Sequence, residues 1–170
     1  MGLDDFKVNQ ETKVIDATKK VRVGFIGCGW IAGSHITALL KQPDVEIVAG
    51  CDLIPGKAEA KFAELEVPTG AKFFTDYKEM LSDDEIDAVY VASPHLCHAE
   101  QTVLALDFGK HVLCEKMIAA DLDGFLAQKA ACIRSGKVLL EAMRPDFDGS
   151  FDLIREALPQ KDMFFPTERL

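Results

Sequence analysis

Residues 27–32 read Gly-Cys-Gly-Trp-Ile-Ala and follow the apolar run VRVGFI (21–26). Gly27, Gly29 and Ala32 fit G-x-G-x-x-G/A at the point where a strand pattern gives way to a helical one. So little side chain at a strand–helix turn lets something charged approach the backbone. Gly27 permits a tight turn, Gly29 removes the Cβ that would hold a diphosphate away, and Ala32 lets helix and strand pack closely. The amides of Gly27, Cys28, Gly29, Trp30, Ile31 and Ala32 then form an anion cradle at a helix N-terminus, where unpaired N–H groups carry partial positive charge. Asp52 stands 25 positions beyond Gly27. At the tip of a second strand its carboxylate can accept hydrogen bonds from the hydroxyls of an adenosine ribose, and it repels a 2′-phosphate. The first cation after it is Lys57, with no arginine between. Together these residues point to a dinucleotide, and to NAD ahead of NADP. The alternative is that Asp52 only opens a turn before Pro55-Gly56. If it grips the ribose, Asp52→Ala weakens NAD binding by roughly 10- to 100-fold with the fold spared.

These residues need elements to position them, and the chain supplies an alternating series. VRVGFIG (21–27) is a continuous apolar run, as in a strand covered on both faces. IAGSHITALLKQ (31–42) carries Ile31, Ile36, Leu39 and Leu40 at helical spacing before Pro43. VEIVAGCD (45–52) reads as a strand, KAEAKFAEL (57–65) as a helix and KFFTD (72–76) as a short strand, with Asp76 and Glu79 resembling a helix start. DAVYVAS (87–93) is a strand, HAEQTVLALDFG (98–109) a helix and HVLCEK (111–116) a strand. Asp121 caps a helix running to Gly136, with Gly124 weakening its first turn; KVLLEAM (137–143) is a sixth strand and GSFDLIREAL (149–158) a last helix. The alternation predicts an α/β fold: a doubly wound parallel sheet of the Rossmann type, in strand order 3-2-1-4-5-6. The expected organisation is a polar arm over 1–20, a dinucleotide-binding domain over 21–158 and an irregular tail over 159–170.

Composition narrows the function classes. A net charge of −9 weighs against nucleic acid and against an anionic membrane surface, since phosphate binding needs a basic face. No apolar run reaches the roughly 18 residues a membrane span needs, and the first twenty residues lack the apolar centre of a signal peptide. Five scattered cysteines, odd in number and without a CxxC pair, suit free thiols in a reduced, cytoplasmic setting. The cluster PHLCH (94–98) lacks the distant partner pair that a metal site requires, so no metal is expected.

Two further segments give the chain a likeness. SPHLCHAE (93–100) and CEKM (114–117), with VGFIGCGWIAGSH and FTDYKEMLSDDEIDAVYVAS, resemble the glucose–fructose oxidoreductase / inositol dehydrogenase (Gfo/Idh/MocA) family from roughly Lys20 to Leu158. The resemblance implies oxidation or reduction of sugars, inositols and related compounds with NAD or NADP. It implies that Ser93, Pro94, His95 and His98, on the family's T/S-P-x-x-x-H loop, lie beside the cofactor. It implies that Glu115 and Lys116 match the E-K-P signature, with Lys116 the catalytic group at the nicotinamide and substrate. It also implies that Arg144, in LEAMRPDF (140–147), lies on the segment leading toward a substrate domain. Read without the family, a lysine ending a strand can donate a hydrogen bond to an oxygen undergoing hydride transfer. His98 alone reads equally as a solvent-facing helix-start residue, and Glu115–Lys116 as a surface pair.

Met117 stands where the family has proline. A cis bond is far less favoured before methionine, so a trans bond is expected, which re-aims the Lys116 ammonium. The twelve residues after Leu158 are too few for the family's large C-terminal substrate domain. Three readings follow: a nicotinamide-dependent oxidoreductase represented by its cofactor part and weakly active or inactive alone; a non-catalytic dinucleotide module or partner-dependent subunit; and a methyltransferase, which the segments after strands four and five oppose. A surface left uncovered by a second domain predicts self-association into a homo-oligomer.

Overall fold

The computed structural model describes residues 19–143. The readings made for the arm over 1–18, Arg144, the helix over 149–158 and the tail over 159–170 lie outside these. Six strands alternate with five helices: β1 (Val21–Ile26), α1 (Trp30–Leu39), β2 (Val45–Cys51), α2 (Lys57–Glu64), β3 (Lys72–Phe74), α3 (Tyr77–Leu81), β4 (Ala88–Val91), α4 (His95–Asp107), β5 (His111–Cys114), α5 (Leu122–Ser135) and β6 (Leu139–Glu141). All strand pairs are parallel, in the order β3-β2-β1-β4-β5-β6. The order reverses direction between β1 and β4, and the carboxyl ends of those strands make the crevice where such sheets take ligands.

Alternating side chains divide the core between the faces. Val89 and Val91 of β4 and Val112 and Cys114 of β5 pack with Ala105, Leu106 and Ala131 of α4 and α5. Phe25, Ile47 and Tyr90 pack on the other face with Ile36, Ala58 and Phe62 of α1 and α2. One in-register row crosses that second face: Phe25, Tyr90, Leu113, Leu140. Its cover thins along the row, from a fully buried Phe25 to a Leu140 that is 48% exposed.

The structure departs from the sequence reading in particulars. α4 begins at His95, three residues earlier than expected, because Pro94 at φ −61° is its N-cap and the chain enters the helix directly. His98 therefore sits in a helix, not at the end of a loop. β6 spans only Leu139–Glu141, where seven residues were expected. Gly124, read as a weakness, marks a close approach: a Cβ there would stand 2.9 Å from the Ala99 Cβ of α4. Asp121 caps α5 by accepting the Gly124 N–H at 2.7 Å, and Gly136 ends it at φ 65°.

Candidate functional site: a dinucleotide cradle at the strand ends

β1 ends at Ile26, and Gly27 turns the chain with φ 88°. A Cβ on Gly27 would lie 2.8 Å from the Ala92 carbonyl oxygen and 2.9 Å from the Ser93 nitrogen, so the turn is pressed against the end of β4. Gly29 is the opposite case. A Cβ there would meet nothing within 4 Å. Gly29 is also the N-cap of α1, an end with no side-chain cap and no acid in its first turn. The first N–H groups of a helix have no carbonyl one turn earlier, so these remain for an anion.

The cradle is narrower than the sequence suggests. The Gly27 N–H donates to the Cys51 carbonyl at 2.8 Å, and the Cys28 N–H to the Asp52 carboxylate at 3.0 Å. β1–β2 pairing continues into the turn and takes the first group and the Asp52 side chain takes the second, leaving the amides of Gly29, Trp30, Ile31 and Ala32. Ala32 is fully buried against the sheet while Trp30 is exposed. Burial pushes the Cys28 thiol up to about 12, so it serves as a small apolar side chain.

Asp52 closes the cradle from β2. Its side chain is almost wholly buried, and it accepts from the Ile54 N–H at 3.1 Å, the Cys28 N–H at 3.0 Å and the Lys57 ammonium at 2.9 Å. Burial pushes its carboxyl up, but the Ile54 N–H, the Lys57 ammonium and the Cys28 N–H outweigh it and hold it below the usual carboxylate range. Asp52→Ala therefore carries a stability cost beside its expected effect on binding. Alanine would strand a buried Cys28 N–H, at a cost of about 1–3 kcal/mol.

The segments after β4 and β5 are tied together. His98 is fully buried, with Nδ1 2.7 Å from the Met117 carbonyl oxygen and Nε2 2.8 Å from the Ser93 carbonyl oxygen. A solvent-facing His98 is excluded, since its ring is buried and both ring nitrogens face backbone carbonyls. It positions the two loops. Ser93 is itself engaged, 2.6 Å from Gln101 Oε1, while Pro94 and His95 are exposed at the start of α4. Gln128 Nε2 donates to the Ile118 carbonyl at 2.8 Å, and the Ile118 N–H to Glu141 Oε1 at 2.8 Å. Within this frame the Lys116–Met117 peptide is cis. The trans bond expected from methionine is thus corrected: contacts from His98 of α4, Gln128 of α5 and Glu141 of β6 hold the segment in its path. Lys116 is exposed.

Glu115 is buried, at the centre of a cluster the sequence reading did not assemble. Its Oε1 accepts from the Tyr90 hydroxyl at 2.5 Å and lies 2.8 Å from His35 Nε2, while its Oε2 accepts the Lys116 N–H at 3.1 Å. It is no surface pair with Lys116. Burial, with the neighbouring Glu115, raises the Tyr90 hydroxyl pKa and keeps it a donor. The His35 and Tyr90 rings lie 4.4 Å apart. Two signals could have revealed the cluster. His35 falls one helical turn after Ala32, on the face that must meet the sheet, and a tyrosine in an apolar strand needs a partner for its hydroxyl.

An opening that a Cβ would fill, an uncapped helix end and an acid at the tip of the next strand fit a dinucleotide diphosphate and its ribose. Comparison with known proteins agrees. Residues 21–143 match the Gfo/Idh/MocA family model, described as an oxidoreductase family with an NAD-binding Rossmann fold, and the chain belongs to this family. It is 34% identical over 138 residues to the scyllo-inositol 2-dehydrogenase (NADP(+)) IolU of Bacillus subtilis (strain 168), covering 81% of this chain and 41% of that protein. Among solved structures it resembles KijD10, a 3-ketoreductase from Actinomadura kijaniata in complex with NADP, with 29% identity and a TM-score of 0.75 over 82% of this chain and 44% of the other. It likewise resembles the WlbA dehydrogenase from Bordetella pertussis in complex with NADH and UDP-GlcNAcA, with 29% identity and a TM-score of 0.74 over 82% and 42%. The chain thus spans about two fifths of the length of these relatives. Among the described residues no helix is long and apolar enough to cross a membrane.

Proposed function

We propose that this chain is the NAD-holding part of an oxidoreductase acting on a sugar- or polyol-like substrate, with Lys116 at the reacting oxygen. The observation that carries the reading is the open space at Gly29 beside the uncapped end of α1 and the Asp52 carboxylate. The diphosphate would rest on the amides of residues 29–32 and a ribose hydroxyl on Asp52, whose negative charge favours NAD over NADP. The nicotinamide supplies the hydride chemistry when bound. Lys116, directly after the anchored Glu115, supplies an ammonium donor to a substrate hydroxyl or carbonyl oxygen, and His98 and Glu115 set where its backbone lies. The free cysteines suit a reduced, cytoplasmic setting.

Calorimetric titration with NAD tests the cofactor part. Asp52→Asn, which keeps an acceptor for the Cys28 N–H, is expected to weaken NAD roughly tenfold. Unchanged affinity would sink the ribose assignment. Turnover with a panel of polyols and sugars separates a catalytic chain from a non-catalytic module or partner-dependent subunit. Hydride transfer needs a substrate held in near-attack geometry, so weak or absent turnover is expected of these 170 residues alone.

The thinning cover over Leu113 and Leu140, with Leu122, Phe125 and Leu126 exposed on α5, supports self-association. Light scattering should show a mass rising with concentration; a monomer throughout the range would overturn this part.

A further inference from the structure

Lys57 is paired with the carboxylate proposed to face the adenosine ribose. The Pro55-Gly56 turn, with Gly56 at φ 78°, brings the chain back over the tip of β2 and places Lys57 as the first residue of α2. Its ammonium lies 2.9 Å from Asp52 Oδ2, the oxygen that also accepts the Cys28 N–H. The two ends of this pair differ in freedom. The Asp52 side chain is 8% exposed and held by two backbone amides, whereas the Lys57 side chain is 40% exposed on a flexible four-carbon stem.

We infer that Lys57 sets how strongly this site discriminates between NAD and NADP. The inference rests on the proposal that Asp52 faces the adenosine ribose. A lone Asp52 carboxylate would meet a 2′-phosphate with like charge; paired with Lys57 it presents a site of nearly zero net charge. The ammonium can also leave the carboxylate for a phosphate oxygen, because its stem is free to swing and the carboxylate keeps its two amide donors. With NAD no such exchange is needed. A ribose hydroxyl donates to the acceptor position left on Asp52 Oδ1, and Lys57 stays where it is. Asp52 therefore favours NAD, and Lys57 limits by how much.

The test measures binding of NAD and NADP separately to the 170-residue chain, its Lys57→Met and Lys57→Arg variants, with thermal unfolding as a check on folding. The unaltered chain is expected to bind NADP within about 100-fold of NAD. Lys57→Met should weaken NADP about tenfold or more while changing NAD by less than about threefold, and Lys57→Arg should restore NADP binding. Equal effects of Lys57→Met on both dinucleotides, or no detectable NADP binding by the unaltered chain while NAD binds, would overturn the inference and leave the dinucleotide site standing. Failure of the unaltered, folded chain to bind either dinucleotide would remove the underlying reading and this inference with it.

Discussion

Gly27→Ala is expected to destabilise the domain by about 2–5 kcal/mol. Two costs add. Alanine at φ 88° adopts a left-handed backbone that L side chains avoid, at about 1–2 kcal/mol. The new methyl would also sit 2.8–2.9 Å from backbone atoms of Ala92 and Ser93, which cannot rotate away as a side chain can. Forcing an extra carbon into a packed site costs roughly 1–3 kcal/mol more. Since β1 and β4 are neighbours at the centre of the sheet, the strain cannot be released at an edge. Urea unfolding should show a lowered midpoint with an unchanged slope. A variant as stable as the parent would mean that the turn does not lie against β4 as described.

Gly29→Val should do the reverse, abolishing dinucleotide binding while leaving stability within about 1 kcal/mol of the parent. Gly29 has an ordinary extended backbone, φ −80° and ψ −163°, which valine adopts without strain. No protein atom lies within 4 Å of its Cβ position, so nothing in the fold resists the substitution. What resists is the ligand. The side chain would occupy the space a diphosphate needs to reach the first amides of α1, and losing two charged hydrogen bonds of about 1.5–3 kcal/mol each lowers NAD affinity by 100-fold or more. Calorimetry and thermal unfolding on the same sample read both quantities. NAD binding undiminished in this variant would show that the open space at Gly29 is not the diphosphate site. The two glycines lie two residues apart, yet the fold resists a side chain at one and leaves open space at the other.

Much of the fold was legible because its signals are local. The apolar runs of β1, β2, β4 and β5 announce strands buried on both faces, and their alternation with helical periods requires parallel crossovers. The caps at Asp76 and Asp121 and the stop at Gly136 each depend on a few adjacent residues. The start of α4 was misplaced because Ser-Pro reads as a break, although proline also opens helices. In the candidate site, Gly27, Gly29 and Asp52 could be found by spacing, because a strand–turn–helix fixes the distance between them. The partners of those residues could not.

What the sequence determined by itself, then, is the order of elements, the sheet they form and the glycine turn with its acid, since each follows from patterns within about thirty residues. Which polar groups meet was settled by packing across the sheet. Asp52 takes the Cys28 amide and Lys57; His98 is buried between Ser93 and Met117; Tyr90, His35 and Glu115 converge from a strand, a helix and a loop; and the path at Lys116–Met117 is held by contacts from α4, α5 and β6. The reason is physical. A buried polar atom needs a partner, but which partner depends on how the sheet brings distant strand ends together, and no local pattern carries that distance.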